Sequence, residues 1–558
     1  MEIYVRQQTS DIYLLGEKMK KNLLALFLLL TFVFQSATLA QNAAKPNSPA
    51  RKAAEMITAE QLKDYLYYVA SDEMEGRDTP SRGLDLTAKF IALNLKRWGF
   101  KPAGDGGSFL QTMALSRDVV DAQKIALEVG AQKFAFGEDF LRIGGRGAAN
   151  APLIFAKDGW FVKSKNIDAL AGVDARGKIL VLYSEGFNRN TLTPFPKGVT
   201  PQDLAGAQGA DWADPMTYAK QKGAVGIILM ASPQVRQNWE QAKNVLSRGG
   251  LYPEKLRQTD AALPVMLASN KVFDAVFAGE ILNAESASAF EINKSATINA
   301  AGKKEIVNTQ NVVAVWEGSD PKLKSEMVAV GAHYDHVGVR PNAAGEDKIW
   351  NGADDDGSGT VAVLAMAEAL AKSARRPKRS VLLVWHAGEE KGLWGSEYFN
   401  KFPTVDIKKV VAQLNIDMIG RSKKAGDANP KNKDLSAENE VYVIGSEMMS
   451  SKLGAVTRVI NDSFLKLNYN YKYDDPKDKN RFFFRSDHFH YAANGIPIVF
   501  WFDGVHEDYH QPGDEAEKID YAKMERVSRT IFLTMWEIAD LKDRPLVDKQ
   551  LPPELTER

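Results

Sequence analysis

Apolar positions along this chain follow two rhythms. Early in the globular part, ITAEQLKDYLYYVAS (57–71) and LDLTAKFIALNLKRWGF (84–100) place apolar residues every three or four positions, the spacing of a helix with one buried face. Gly and Pro at 99–107 then break the pattern. From about residue 310 the rhythm changes. EMVAVGAHYD, SVLLVWHAGEE, VVAQLNIDMIG and GIPIVFWFDG are continuous apolar runs, most of them ending in acids or His, and stretches such as TVAVLAMAEALAKS read as helices between them. Such runs predict strands buried on both faces, hence an α/β fold with a mostly parallel central sheet flanked by helices. In sheets of this kind function gathers at the carboxyl ends of the strands.

Residues 135–295 have another texture. Short β-rich runs (KILVLYSE, VGIILMAS) alternate with Gly, Pro and Asn, and one helix-like piece, DPMTYAKQKGA, precedes the second run. This predicts a separate, mostly β module, without His and without a catalytic constellation. The expected organisation is an N-terminal extension and signal peptide (1–40), a polar tail (41–56), the first part of the main domain (57–134), the inserted module (135–295), the main part of the domain with the site (296–545) and a C-terminal tail (546–558).

Composition narrows the function. Lys plus Arg equals Asp plus Glu at 71 each, so no nucleic-acid or polyanionic partner is expected. From Met19, a basic pair (Lys20, Lys21), the apolar stretch Leu23–Phe34 and the small-residue end Thr38-Leu39-Ala40 form a secretory signal. Cleavage after Ala40 and export to periplasm or medium are expected, with no stable membrane anchor thereafter. There is no cysteine. Disulfides, a thiolate nucleophile and Cys-ligated zinc are therefore excluded, and any transition-metal site must use His, Asp and Glu.

The candidate chemistry centres on NGADDDGSGTVAV (351–363), where Asp354, Asp355 and Asp356 stand in a row before an apolar helix. An N-cap needs only one of them. Solvated acids or a bound cation would account for the rest. All seven histidines lie between 333 and 510, several of them beside acids at predicted strand ends. His333 and Asp335 follow one strand, Glu389 and Glu390 a second and Asp417 a third, while His510 lies beyond a fourth. Two His with several carboxylates suit zinc, manganese or cobalt, and a carboxylate can bridge two ions. His506-Glu507-Asp508-Tyr509-His510 matches the H-E-x-x-H zinc motif, which works only on a helix. Gly504 before it and Pro512-Gly513 after it predict a loop instead.

GAHYDHVGV, NGADDDGSGTVAV, GEEKGLWGSEYF, LNIDMIGR, SDHFHYAANGIPIVF and DYHQPGDEAEKID together resemble the di-zinc aminopeptidase family. That family includes glutamate carboxypeptidases, glutaminyl cyclases and transferrin receptors. The resemblance runs from about 57 to 540 and is to the secreted bacterial type. It implies a zinc-exopeptidase (phosphorylase/hydrolase-like) fold, with 135–295 as an inserted protease-associated (PA) domain.

The resemblance also implies roles. His333 and Asp417 hold one zinc, Glu390 and His510 the other, and Asp355 bridges both. Glu389 is the general base. Asp335 orients His333, and Asp514 does the same for His510. Arg485, Ser486 and Asp487 shape the substrate pocket. Asp354 and Asp356 face away as solvated or capping groups, and His336, His386, His488 and His490 are local structure. The cofactors implied are two Zn2+ per chain, with Co2+ or Mn2+ as possible substitutes. The partner implied is a peptide substrate; the oligomeric state is left open. The expected activity is removal of N-terminal residues from peptides. The alternatives are a carboxypeptidase of the same fold, a glutaminyl cyclase or a non-catalytic receptor-like binder. The full ligand set and Glu389 speak against the last two.

Overall fold

The computed structural model describes residues 44–183, 195–256, 263–280 and 288–551, apart from 46, 205 and 248, together with residue 555. The expected signal segment lies outside the described residues. The chain divides into two compact units, Met1–Met113 with Asn308–Arg558 and Ala114–Val307.

The strands of the large sheet that position the site are β1 (Gly302–Trp316), β2 (Met327–His333), β3 (Ser380–His386), β4 (Val410–Ile416), β5 (Glu440–Ile444), β6 (Asn468–Asn470) and β7 (Ile498–Phe502). They lie in the order β1-β3-β2-β4-β7-β5-β6. The central four, β3-β2-β4-β7, are parallel. β1 and β5 run antiparallel to their inner neighbours, so the sheet is mixed at its flanks.

Side chains alternate across a strand. Val328, Val330 and Ala332 of β2 therefore join one core, with Val381, Leu383 and Trp385 of β3. Met327 and Ala329 join a second core on the opposite face, with Leu382 and Val384. The first core takes up helices α1 (Ala59–Val69), α3 (Gly359–Lys372), α5 (Ser451–Ser463) and α7 (Tyr521–Asp540). The second takes up side chains of α4 (Trp394–Lys401) and α6 (His488–Ala493).

Local chemistry sets the helix starts. Thr58 and Gln61 form a reciprocal cap on α1. Ser81 accepts the Leu84 N–H at the start of α2 (Arg82–Arg97). α3 is apolar nearly all round, as a helix covered by other elements must be.

The second unit is built on an eight-stranded sheet. Its middle strands, Gly147–Phe155, Ile179–Tyr183, Gly226–Met230 and Val265–Ala268, are parallel. The expected helix there spans Pro215–Gln221, capped by Asp214. Among the described residues no helix is long and apolar enough to cross a membrane.

Candidate metal centre

The four parallel strands deliver their carboxyl ends to one place. β2 ends at His333, directly opposite His386 of β3. The turns beyond β3 and β4 carry Glu389, Glu390 and Asp417, and the loop after β7 carries His510. The Asp354–Asp356 stretch enters from the start of α3. Thr360 ties that helix to the strand end, its hydroxyl donating to the His333 carbonyl at 2.6 Å.

Two groups of possible ligand atoms result. One is His333, Asp355 and Asp417; the other is His336, Asp355, Glu390 and His510. Asp355 divides its oxygens between them. Oδ1 lies 3.3 Å from His333 Nε2, and Oδ2 lies 3.1 Å from His510 Nε2. His333 Nε2 is 3.5 Å from Asp417 Oδ1, and His510 Nε2 is 3.0 Å from Glu390 Oε2. All five ligand residues expected from the sequence are thus brought together, and His336 joins them. A divalent cation fits the donor set. Asp355 Oδ2, Glu390 Oε1, His336 Nδ1 and His510 Nε2 are all buried with no hydrogen-bond partner.

The electrostatics reflect the crowding of acids and imidazoles. Burial alone would lower His333, but Asp417 and Glu389 outweigh it and hold the ring well above its usual range. Burial would likewise lower His510, yet Asp355 and Glu390 raise it to about 10. Asp355 is held well below the carboxylate range because His333 and His510 overcome its desolvation. Glu389 goes the other way. Desolvation raises it strongly, Glu390 and Asp417 add to that, and His333 opposes.

The neighbouring residues correct several expectations. Asp354 and Asp356 are not solvated; both are fully buried. Asp354 accepts the Gly420 N–H at 2.7 Å and contacts His506 at 3.3 Å. Asp356 accepts the N–H groups of Gly359, at the start of α3, and Met418. The chain crosses beneath the sheet ends here, so these carboxylates meet backbone amides instead of water.

Asp335 orients His333 through its backbone carbonyl, 3.1 Å from Nδ1, while its carboxylate lies 3.7 Å away. That carboxylate accepts the Glu389 N–H instead. Asp514 does not serve His510. It accepts the N–H groups of Asp354 and Asp355 and so pins the acidic loop. Both of its carboxylate oxygens are taken up by those backbone amides.

A pocket opens on the first group. Glu389, His333, Asp355 and Asp417 line one wall, and Met418, Phe482, Phe500, Phe502 and Val505 form an apolar wall. Tyr509 and Arg485 complete it. Arg485 Nη2 is 3.4 Å from the Tyr509 hydroxyl. Tyr509 carried no signal in the sequence beyond its place next to His510. Ser486 and Asp487 lie behind the pocket: Ser486 accepts from Asn415, and Asp487 pairs with His386 at 3.4 Å.

The H-E-x-x-H match lies in a turn, not a helix. His506 goes to Asp354, and Glu507 is hydrogen-bonded to Asn429. Its two imidazoles therefore serve different partners.

These features define a carboxylate-rich centre, with two groups of possible metal ligands sharing Asp355, at the strand ends of an α/β sheet. Residues 311–535, the stretch that bears the centre, match the model of Peptidase family M28. A probable leucine aminopeptidase of Trichophyton verrucosum is 28% identical over 227 residues, covering 39% of this chain and 56% of that protein. A probable zinc metalloprotease of Pyrenophora tritici-repentis is 27% identical over 271 residues, covering 43% and 53%. The chain thus spans about half the length of the curated relatives it matches. A solved aminopeptidase from Aneurinibacillus sp. strain AM-1 aligns over 90% of this chain and 98% of its own, with 16% identity and a TM-score of 0.49.

Proposed function

We propose that the chain is an exported zinc-dependent aminopeptidase, with Glu389 as general base and Ala114–Val307 as a protease-associated domain. One observation carries the catalytic reading. Asp355 shares its two oxygens between two ligand groups, and Glu389 lines the same pocket as three of the ligands. His333 and Asp417 would hold one zinc and Glu390 and His510 the other, with Asp355 between them. When bound, the ions supply Lewis acidity and lower the pKa of water at the site.

The chain's own groups do the rest. Glu389 takes a proton from the attacking water and returns it to the leaving amine. The Asp335 carboxylate holds the Glu389 backbone for that task. The wall of Phe482, Phe500 and Phe502 suits an apolar N-terminal side chain.

Arg485 favours a second reading. It is exposed at the same pocket, with no carboxylate partner among the described residues. A carboxypeptidase of this fold would use such a cation for the substrate's C-terminal carboxylate.

The test is hydrolysis of a leucyl arylamide against its N-acetylated twin by the chain from Gln41, with chelation and zinc add-back. Cleavage of the free-amine substrate alone, lost on chelation and restored by zinc, is expected. Equal cleavage of both, or of neither, would remove the aminopeptidase reading.

A further inference from the structure

We infer that His336 is a fourth protein ligand at the cation position of Asp355, Glu390 and His510, so that the two positions are unequal, one with four protein donors and one with three donors that line the pocket. The inference rests on the zinc reading above. It does not depend on which peptide is cut.

His336 stands three residues past His333, just beyond the end of β2. Its backbone N–H donates to the Arg77 carbonyl at 3.1 Å, which fixes the turn. The ring is fully buried. Nδ1 lies 2.9 Å from Glu390 Oε1 and 3.8 Å from Asp355 Oδ2. Despite the short distance, Nδ1 and Glu390 Oε1 do not form an aligned hydrogen bond, and each is left without a partner. His510 Nε2 and Asp355 Oδ2 are in the same condition. Four such atoms, all within 4.8 Å of one another, form the second ligand group. Burying a polar atom unpaired is unfavourable. One divalent cation among them satisfies all four at once.

The backbone makes room for this ring. Gly352 has φ +59°, and a Cβ there would lie 2.4 Å from His336 Cγ and 2.3 Å from the Asp355 carbonyl oxygen. Only glycine fits between the imidazole and the acidic loop.

The other position differs. His333, Asp355 and Asp417 are three donors, and all three line the pocket beside Glu389. His336, Glu390 and His510 do not line it. Four protein ligands with two imidazoles make a closed tetrahedral shell, whereas three leave a place free, the arrangement of catalytic zinc sites. The closed position should fill first and release its ion last, and substrate should meet the open one.

The test loads the metal-free chain with Co2+ one equivalent at a time, following visible absorption and the paramagnetically shifted imidazole N–H proton signals. Two N–H signals and a strong tetrahedral band are expected with the first equivalent, from His336 and His510. A third signal, from His333, should come with the second. His336→Ala should remove one signal and weaken the first binding step by about 10–100-fold. Only two imidazole signals from the fully loaded wild-type chain would overturn the inference and leave His336 as a neighbour that merely contacts Glu390. That count needs no variant, so a misfolded His336→Ala would not obscure it. A chain that binds no cobalt at all fails the zinc reading itself, and two ions held by two imidazoles fail only this one.

Discussion

Glu389 and Glu390 are adjacent in sequence but differ in surroundings. Glu390 turns toward His510 and His336, while Glu389 has its N–H fixed by Asp335 and faces the pocket. Glu389→Gln keeps the shape and removes the proposed base. We expect kcat to fall by about 10²–10⁴-fold, with bound zinc, measured by atomic absorption, unchanged. A matching loss of zinc would show that the residue is a ligand instead. Glu507→Gln is the contrast: kcat/KM should stay within about twofold of wild type, whereas a helical H-E-x-x-H zinc site would lose nearly all activity. Single residues were legible only where a family pattern singled them out. Nothing local separates Asp355 from Asp354 and Asp356, three identical acids in a row. Nor does anything local separate His336 from His386 or His488. What distinguishes them is the partner each meets: Glu390 for His336, Asp487 for His386 and Phe500 for His488.

At the level of elements, one buried cation joins several segments. Arg77 is fully buried and donates to four carbonyls, those of Tyr334, Val69, Asn351 and Gly352. It thereby links the end of α1, the turn after β2 and the loop before the three acids. Burial lowers its pKa to about 10, against the pull of Asp335 and the other nearby acids. Arg77→Met would leave those carbonyls unpaired. A loss of about 3–5 kcal/mol in urea unfolding is expected; a loss under 1 kcal/mol would mean water replaces the guanidinium.

Helix α6 carries a pH dependence. His488 stacks on Phe500 with ring centroids 4.6 Å apart, and burial lowers its pKa to about 3. The unfolded chain takes up this proton below about 6.5 while the folded chain does not. His488 therefore favours folding above pH 6.5, and this contribution falls away as pH drops toward 3, by at most about 1.4 kcal/mol per unit. His488→Phe should remove that slope from the difference between urea unfolding at pH 7 and at pH 5. Parallel pH profiles for the two chains would rule it out. The elements themselves were the most legible level. Helical spacing at 57–71 and 84–100, and apolar runs at the four central strands, report burial directly. The antiparallel flanks were not visible, because strand direction leaves no mark on periodicity.

For the whole molecule, the centre ties residues 333 to 510 into one acid-rich cluster. Removing the proposed ions should destabilise the unit that holds it. At free zinc about 1,000 times Kd, each site contributes about 4 kcal/mol. Chelation should then lower that unit's Tm by on the order of 10 °C. A thermal scan with and without chelator checks this, and coincident curves would mean that the acids are not a metal site in solution. By itself the sequence determined the kinds of element, the absence of thiol chemistry and five of the residues able to hold a cation, because burial rhythm and ligand chemistry are written residue by residue. Tertiary structure alone decided that Asp354 and Asp356 bind backbone amides, that Asp514 pins the acidic loop and that His336 faces Glu390. Each of those outcomes depends on which distant segment arrives opposite the side chain, and that is set by how the strands and loops pack, not by spacing along the chain.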